Sequence, residues 1–458
     1  MITLRKCSTS PVLHRYLPLH QIQHPLSTPL TKMPETASRE VRNLNALLDV
    51  SRALGAEMHL DSLLPVIIHK TTEVMDAERS SLFIYDPDSD ELWSKVAEGM
   101  DENTIRFPSG VGIAGDVAKT LETANIPDAY DDPRFNPEFD KQTDFKTKSV
   151  LCMPMTTRKG ELIGVIQVLN KIDGGTFEES DEKLLEALCT QAGVAIVRAR
   201  LTEAFLEKQR IEESLKLAAD IQMGMLPSTF PAFPDRKDFD LFAGIVPAKE
   251  VGGDFYDFFL IDKKHLCFVI GDVSGKGIPA ALFMALTKTQ IKASSSRRRT
   301  PGDVLFRANN DLCHENESSM FCTLFYGIMN TETGEVTYAN AGHNPPYLIS
   351  ENGEPKQIET TGGIALGVMD EMPFESATFM VPKSGSIFLY TDGVNEAMNE
   401  ADEEYSYEKL EDYLKENSNG SITDMVNGNL DSVKEFAGSA PQSDDITVLA
   451  IRYFGKSD

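Results

Sequence analysis

Leu266-Cys267-Phe268-Val269-Ile270-Gly271-Asp272-Val273-Ser274-Gly275-Lys276-Gly277 decides how the C-terminal half of this chain is read. The apolar run predicts a buried strand, Asp272 ends it, and a glycine-rich loop follows. The same arrangement recurs downstream. Ile387–Tyr390 runs into Thr391-Asp392-Gly393, Asp444 and Asp445 stand immediately before a final run Ile446–Tyr453, and Asp254 follows Gly252-Gly253. Carboxylates at strand ends, beside glycines that let the backbone approach, suit hard divalent cations, which take oxygen ligands and keep several waters. Two such ions side by side activate a water and stabilise charge on a phosphoryl group. Any one of these aspartates reads more readily as a turn residue or helix cap than as a ligand; the set, in this order, reads as a site.

Around that set, His265–Ile270, Cys322–Met329, Val336–Ala341, Ser386–Tyr390 and Ile446–Tyr453 read as strands, with Thr331-Glu332-Thr333-Gly334 as a hairpin turn. The N-terminal half differs. Leu44, Leu47, Leu48 and Leu54 mark one helix, and Leu60, Leu63, Leu64, Ile67 and Ile68 a second. Strand-like runs Ser81–Tyr85 and Leu92–Ala97 are joined through Asp86–Asp90, and Val150–Met155 and Leu162–Leu169 follow. The polar stretch Asn125–Lys148 is long enough to be a lid or binding loop. A helix begins near Ser180 and continues past Arg200, with Leu201, Ala204, Lys208, Ile211, Leu215, Ala218, Gln222 and Met225 on alternating three- and four-residue steps until Pro227. That stripe reads either as a coiled coil pairing two chains or as one amphipathic helix packed on a neighbouring domain. The fold class is α+β.

The chain has 458 residues, 44 Lys+Arg against 71 Asp+Glu and a net charge of −27. That balance argues against nucleic acid, whose phosphates require a basic face. No run approaches the roughly 18 apolar residues of a membrane helix. Six cysteines without a CxxC pair read as thiols in a reducing cytoplasm. Residues 1–34 hold no Asp or Glu, with His14, His20 and His24 set among Pro, Ser and Thr. They read as a disordered tail or upstream extension ahead of an organelle transit peptide, because no amphipathic pattern is present.

The block Ile221–Tyr453 resembles PPM-type (protein phosphatase 2C-like) serine/threonine phosphatases, and within them the SpoIIE/RsbU class. The matching pieces are Ile221-Gln222 with Leu226-Pro227, Val251–Asp257, Gly271–Gly277, Ala341-Gly342-His343-Asn344-Pro345-Pro346, Tyr390–Gly393 and Asp444–Thr447. The resemblance implies a β-sandwich flanked by helices and a site for two Mn²⁺ or Mg²⁺ ions. Carried over by motif, Asp272 bridges both ions and the Val273 carbonyl holds one. Asp392 and one of Asp444/Asp445, with Asp444 favoured, hold the other, and Asp254 ligates directly or through water. The implied substrate is a phosphorylated regulatory protein such as an anti-sigma-factor antagonist. Gly252-Gly253-Asp254-Phe255 lacks the second acidic residue of a diguanylate cyclase signature, and Gly271–Gly277 lacks P-loop spacing. His343 reads as a general acid or as part of a shaped turn. Arg297-Arg298-Arg299 reads as a solvated loop or a phosphoprotein contact.

Residues 41–200 resemble a GAF domain, an antiparallel sheet with flanking helices. The resemblance rests on Arg79–Phe83, Gly110–Gly115 and Asn125–Tyr130, and on Asn170, Lys171, Phe177, Asp181 and Glu182, which match the Asn-Lys-Phe-Asp-Glu signature of cyclic-nucleotide phosphodiesterase GAF domains. The resemblance implies a structural Lys171–Asp181 pair and a pocket for cAMP or cGMP lined by Ser81, Ile113, Ala114, Tyr130, Thr143, Thr147 and Gln167. The expected organisation is a disordered segment 1–40, a GAF sensor 41–200, a helical linker 201–226 and a phosphatase domain 227–455. The whole is expected to be a homodimeric cytoplasmic enzyme, free of nucleic acid and membrane. The rival is a catalytically weak or inactive scaffold that binds a partner protein.

Overall fold

A computed structural model of the chain describes residues 35–94, 105–143, 145–314, 316–350 and 352–455. The expectations for residues 1–34, including the three histidines, and for the end of the run reaching Ala97 lie outside the described residues. The chain divides into two units, Met1–Leu206 and Glu207–Asp458.

In the first unit, helices α1 (Glu35–Ala56) and α2 (Leu60–Val74) lead into β1 (Ala77–Asp86), β2 (Glu91–Ser94), β3 (Ile105–Pro108), α3 (Gly112–Thr120), β4 (Ala124–Ile126), α4 (Glu138–Thr143), β5 (Val150–Thr156) and β6 (Leu162–Lys171). The strands form one antiparallel sheet in the order β3-β2-β1-β6-β5-β4. Period-two alternation sorts β1. Leu82 and Ile84 face a core shared with Leu63, Leu64 and Ile67 of α2 and with Leu185 and Ile196 downstream, while Phe83 joins a separate cluster with Ile113 and Val117 of α3.

Helix α5 (Glu179–Met225) is continuous over 47 residues and runs from the first unit into the second. Its start is fixed to the sheet by the signature residues. Lys171 Nζ lies 2.8 Å from Asp181, both side chains nearly buried, and the same carboxylate accepts the Glu178 N–H. Asn170 accepts the Lys148 N–H and donates to Glu78 and to the Lys146 carbonyl. Glu182 accepts from Asn125, whose amide also donates to the Phe177 carbonyl. The signature thus ties β6, the loop before β5 and the first turn of α5 into one network.

In the second unit come β7 (Phe239–Val246), β8 (Phe255–Asp262), β9 (His265–Val273), α6 (Ile278–Ser294), α7 (Pro301–His314), β10 (Cys322–Asn330), β11 (Glu335–Ala341), β12 (Tyr347–Ile349), β13 (Pro355–Gln357), β14 (Ala377–Met380), β15 (Ser386–Tyr390), α8 (Asp392–Asn395), α9 (Ser406–Asn417), α10 (Ile422–Ala437) and β16 (Ile446–Tyr453). They build two antiparallel five-stranded sheets, β14-β11-β10-β9-β8 and β13-β12-β15-β16-β7. Ile387, Leu389, Leu449 and Ile451 of the second sheet pack with Val269, Leu324 and Phe325 of the first. Their neighbours Phe388, Tyr390, Val448 and Ala450 point outward to α9 and α10. Strands covered on both faces lose polar alternation, which is why β15 and β16 read as unbroken apolar runs. No helix among the described residues is long and apolar enough to cross a membrane.

Replacing Lys171 by Met leaves the Asp181 carboxylate buried without its ammonium. The first unit should lose about 3 kcal/mol of stability in urea unfolding, and a Lys171→Met/Asp181→Leu double variant should recover most of it. Unchanged unfolding of the single variant would show that the pair does not hold the helix.

Candidate metal centre and sensor pocket

The carboxylates gather where strand ends of both sheets of the second unit meet. Asp272 is the penultimate residue of β9, opposite Thr323 of β10. Asp392 opens α8 directly after β15, and Asp444 and Asp445 precede β16. Asp254, 2% exposed, precedes β8. Its carboxylate accepts a hydrogen bond from the Thr391 hydroxyl at 2.7 Å, and that hydroxyl oxygen also accepts the Thr447 N–H. One threonine therefore joins Asp254 to the ends of β15 and β16. Nothing in the spacing pointed to it beyond its place before Asp392.

Glycines make the approach possible. A Cβ on Gly252 would stand 2.0 Å from Asp445 Oδ2, one on Gly253 2.6 Å from the Val273 carbonyl oxygen, and one on Gly393 2.0 Å from the Asp445 carbonyl oxygen. Asp444 and Asp445 have separate surroundings. Asp445 is buried; its Oδ1 accepts the Ala248 N–H and its Oδ2 the Gly253 N–H, both at 2.8 Å. Asp444 is 41% exposed and pairs with Lys276 Nζ at 3.0 Å. The sequence ranked both as ligand candidates; the structure commits the Asp445 oxygens to the 248–254 backbone and leaves Asp444 half-exposed, within electrostatic reach of Asp272 and Asp392.

Burial dominates the electrostatics. It lifts the Asp254 carboxyl well above the ordinary carboxylate range, helped by the charges of Asp272 and Asp445. Asp272, likewise desolvated and beside Asp392, is pushed up to about 7. Asp392 is raised by burial and then by Asp444. Such groups resist ionising together unless positive charge is supplied. The donors are all oxygen, the chemistry Mg²⁺ and Mn²⁺ prefer. Among the described residues no three His, Cys, Asp or Glu side chains close around one point, so a cation here would keep water in its shell. On these grounds the donor set fits hydrated divalent ions.

In the first unit a cavity of about 490 Å³ opens over β1, β6 and α3. Ser81, Ile113, Ala114, Thr147 and Gln167 line it as expected. Tyr130 does not. Tyr130 is half exposed, its ring packs at a tilt against Phe135, and its hydroxyl donates to Asp140; the loop turns at Asp128, which accepts the Tyr130 N–H. Thr143 ends α4, and its side chain lies outside the described residues. The aromatic walls are instead Phe83, Phe107, Phe135 and Phe145. Arg79, which the sequence reading left out of the pocket, holds its guanidinium 4.1 Å from the centre of the Phe145 ring; alternation along β1 with Ser81 and Phe83 was the available signal. Asp140 is buried and accepts both the N–H and hydroxyl of Thr147.

Comparison with known proteins follows these two sites. Residues 262–454 match the family model "Stage II sporulation protein E (SpoIIE)", and residues 59–196 match the GAF domain model. Over 247 residues the chain is 30% identical to phosphoserine phosphatase RsbU of Bacillus subtilis, covering 54% of this chain and 71% of RsbU. The chain belongs to the SpoIIE/RsbU family of PPM serine/threonine phosphatases. It is also 30% identical to protein IcfG of Synechocystis over 52% of this chain and 41% of IcfG. A probable 3′,5′-cyclic phosphodiesterase, pde-5 of Caenorhabditis elegans, is 33% identical over 41% of this chain and 27% of its own length. The chain therefore spans less than half of two of these relatives.

Within the SpoIIE/RsbU-type unit, His343 is not placed as an acid. It is 4% exposed. Its Nε2–H donates to the Tyr390 carbonyl and its Nδ1 accepts the Thr323 hydroxyl. Burial pushes it down to about 4. It works as a neutral strut between β10 and the end of β15. Arg297, Arg298 and Arg299 lie in the α6–α7 connection, where Arg299 donates to the Ser294 carbonyl and Arg297 is 3.6 Å from Asp262. Asp262 stands beside His265, at the opposite end of β9 from Asp272, roughly 24 Å away at strand rise. The run is remote from the carboxylates.

A carboxyl raised by folding supports the fold below its unfolded value and withdraws that support as pH rises through the folded one; for Asp272 the window runs from 3.8 to about 7. His343 acts oppositely, losing its contribution as pH falls from 6.5 toward about 4. With three raised aspartates against one histidine, chelator-treated protein should melt higher near about pH 5.5 than near about pH 7.5, and Mn²⁺ should raise Tm more at the higher pH. Asp272→Asn should raise the chelated Tm at the higher pH. A Mn²⁺ shift equal at both pH values would remove the carboxylate cluster as its cause.

Proposed function

We propose that the chain is a metal-dependent protein phosphatase acting on phosphoserine or phosphothreonine, regulated by a small ligand in its GAF unit. The observation that carries the reading is the convergence of Asp254, Asp272 and Asp392 at the ends of two sheets, each raised by burial and by its neighbours' charge. Asp254, Asp272, Asp392, Asp444 and the Val273 carbonyl would hold the ions, with Asp445 acting through the backbone it gathers. Mn²⁺ or Mg²⁺ ions held there would supply an acidified water and positive charge for the phosphoryl group. The Thr391 hydroxyl orients Asp254, and the buried surroundings keep that orientation without reorganisation.

Regulation is read from the end of α5. Gln222, 9% exposed, donates its amide to the Gly252 carbonyl at 2.7 Å and accepts the Gly252 N–H at 3.2 Å. The last turns of α5 thus grip the backbone two residues before Asp254. Ligand capture that biases this helix would move Asp254, and a coupling of about 1–3 kcal/mol would change activity from several-fold to about a hundredfold. For the ligand, the GAF match and the phosphodiesterase relative support cAMP or cGMP, and Arg79 supplies a cation for its phosphate. For the substrate, the phosphoserine phosphatase relative supports a phosphorylated regulatory protein of the anti-sigma-factor-antagonist kind. Leu201, Phe205, Ile211, Leu217 and Ile221 are exposed along α5, which supports a second copy pairing there. The buried thiols Cys152, Cys189, Cys267 and Cys322 suit a reducing cytoplasm.

The test is p-nitrophenyl phosphate hydrolysis with Mn²⁺, titrated with cAMP and then cGMP. Asp272→Asn and Asp392→Asn should each lower turnover on the order of a hundredfold, and retention of full turnover by both would sink the site. Gln222→Ala should lower turnover several-fold and abolish any nucleotide response. Metal-dependent turnover indifferent to both nucleotides in the unmodified chain would leave the phosphatase and remove the cyclic-nucleotide reading.

A further inference from the structure

Five carboxylates crowd the end of the phosphatase unit. Among the described residues, one ammonium touches any of them. Lys276 Nζ is 3.0 Å from Asp444 Oδ2 and also donates to the Ser443 carbonyl. Its reach is built into the loop that follows Asp272. Ser274 fixes the start of that loop, its N–H donating to the Phe321 carbonyl at 2.8 Å and its hydroxyl accepting the Phe321 N–H at 3.0 Å. Gly277 fixes the end as the residue before α6. Between them Gly275 and Gly277 take φ of +83° and +81°, a left-handed backbone that non-glycine residues rarely adopt. Lys276 is carried between these two turns toward Ser443 and Asp444.

We propose that Lys276 competes with divalent cations for Asp444, so that the loop following one candidate ligand, Asp272, carries the counter-charge that sets how tightly another takes metal. The inference rests on the reading of Asp444 as a cation-facing residue. Asp444 Oδ1 already accepts the Asp445 N–H at 2.9 Å, which leaves Oδ2 as the oxygen over which an ammonium and a metal ion contend. Both cations on one oxygen repel, so an ion engaging Oδ2 must displace Nζ. The side chains are 38% and 41% exposed, which keeps the pair weak enough to yield. Lys276 also draws down the Asp392 carboxyl against the effects that raise it, so its departure is felt at a second candidate ligand. The device tunes affinity and does not block the site.

The experiment is calorimetric titration of Mn²⁺ into the chelator-treated full chain, comparing the unmodified protein with Lys276→Met, Lys276→Arg, Asp444→Asn and the Lys276→Met/Asp444→Asn double variant. At low ionic strength Lys276→Met should tighten Mn²⁺ binding by about threefold or more, and Lys276→Arg should behave as the unmodified protein. The gain should shrink in about 0.5 M NaCl. In the Asp444→Asn background, Lys276→Met should change affinity by less than about twofold, because the contested oxygen is gone. Lys276→Met that binds Mn²⁺ equally or more weakly overturns the proposal while leaving the metal site standing. An undiminished gain in the double variant also overturns it, showing a diffuse charge effect. Asp444→Asn that binds as the unmodified protein removes the reading of Asp444, and the competition with it.

Discussion

Two backbone N–H groups, those of Ala248 and Gly253, converge on the buried carboxylate of Asp445, and the functional end of the phosphatase unit is arranged around that convergence. A carboxylate that accepts main-chain donors is held firmly, because its charge is met by dipoles that cannot rotate away. It draws the 248–254 segment onto the start of β16. That contact sets Gly253 against Val273 and brings Asp254 under the Thr391 hydroxyl. Gly252 and Gly393 remain side-chain-free because Asp445 fills the space their Cβ atoms would need. The buried residue that gathers this backbone is thus adjacent in sequence to a half-exposed one paired with a lysine, and the two have different surroundings.

The division of labour between Asp444 and Asp445 was not legible in the sequence, since both precede the same strand. Burial distinguishes them, and burial here comes from a loop almost two hundred residues upstream. Part of what could be read locally was read, though β7 and β8 were not placed as strands. β9, β10, β11, β15 and β16 appear where apolar runs bounded by turn residues placed them, and Thr331–Gly334 joins β10 to β11. Helices α6, α7, α9 and α10 lie outside those expectations, although Val304, Leu305, Ala308 and Leu312 of α7 and Ile422, Met425, Val426 and Val433 of α10 are buried at helical spacing. In α6, buried residues such as Ala280, Phe283, Met284, Thr287 and Ile291 are interleaved with exposed Leu282, so the polar-apolar contrast on which helix periodicity depends is weak. Strands of three or four residues, such as β12 and the edge strands β13 and β14, are too short to carry a period at all.

The sensor unit teaches a related lesson. Alternation along β1 carries Arg79 and Phe83 to the cavity beside Ser81, the one of the three that was expected there, whereas Tyr130, expected from the motif, does not line it. That residue sits in a turn, and turns do not transmit a facing direction as strands do. The aromatic surface comes from Phe83, Phe107, Phe135 and Phe145, distributed over β1, β3 and the loops flanking α4. Residues so scattered meet only in the folded state. The network of Asn170, Lys171, Asp181 and Glu182 is different, because its members are close in sequence and answer one another's charge and hydrogen-bonding capacity directly.

Gln222 occupies a core position in the heptad-spaced stripe that begins at Leu201, and in this structure both polar atoms of its amide are bonded to Gly252. At 9% exposure the side chain is already covered within its own unit and offers little surface to a second helix. If α5 zips against a second helix through the whole stripe, Gln222 must turn toward that seam and let go of Gly252; if it keeps Gly252, the zipper has to stop a turn earlier. The last layer of the stripe is therefore a mutually exclusive choice between assembly and anchorage, written into a single side chain.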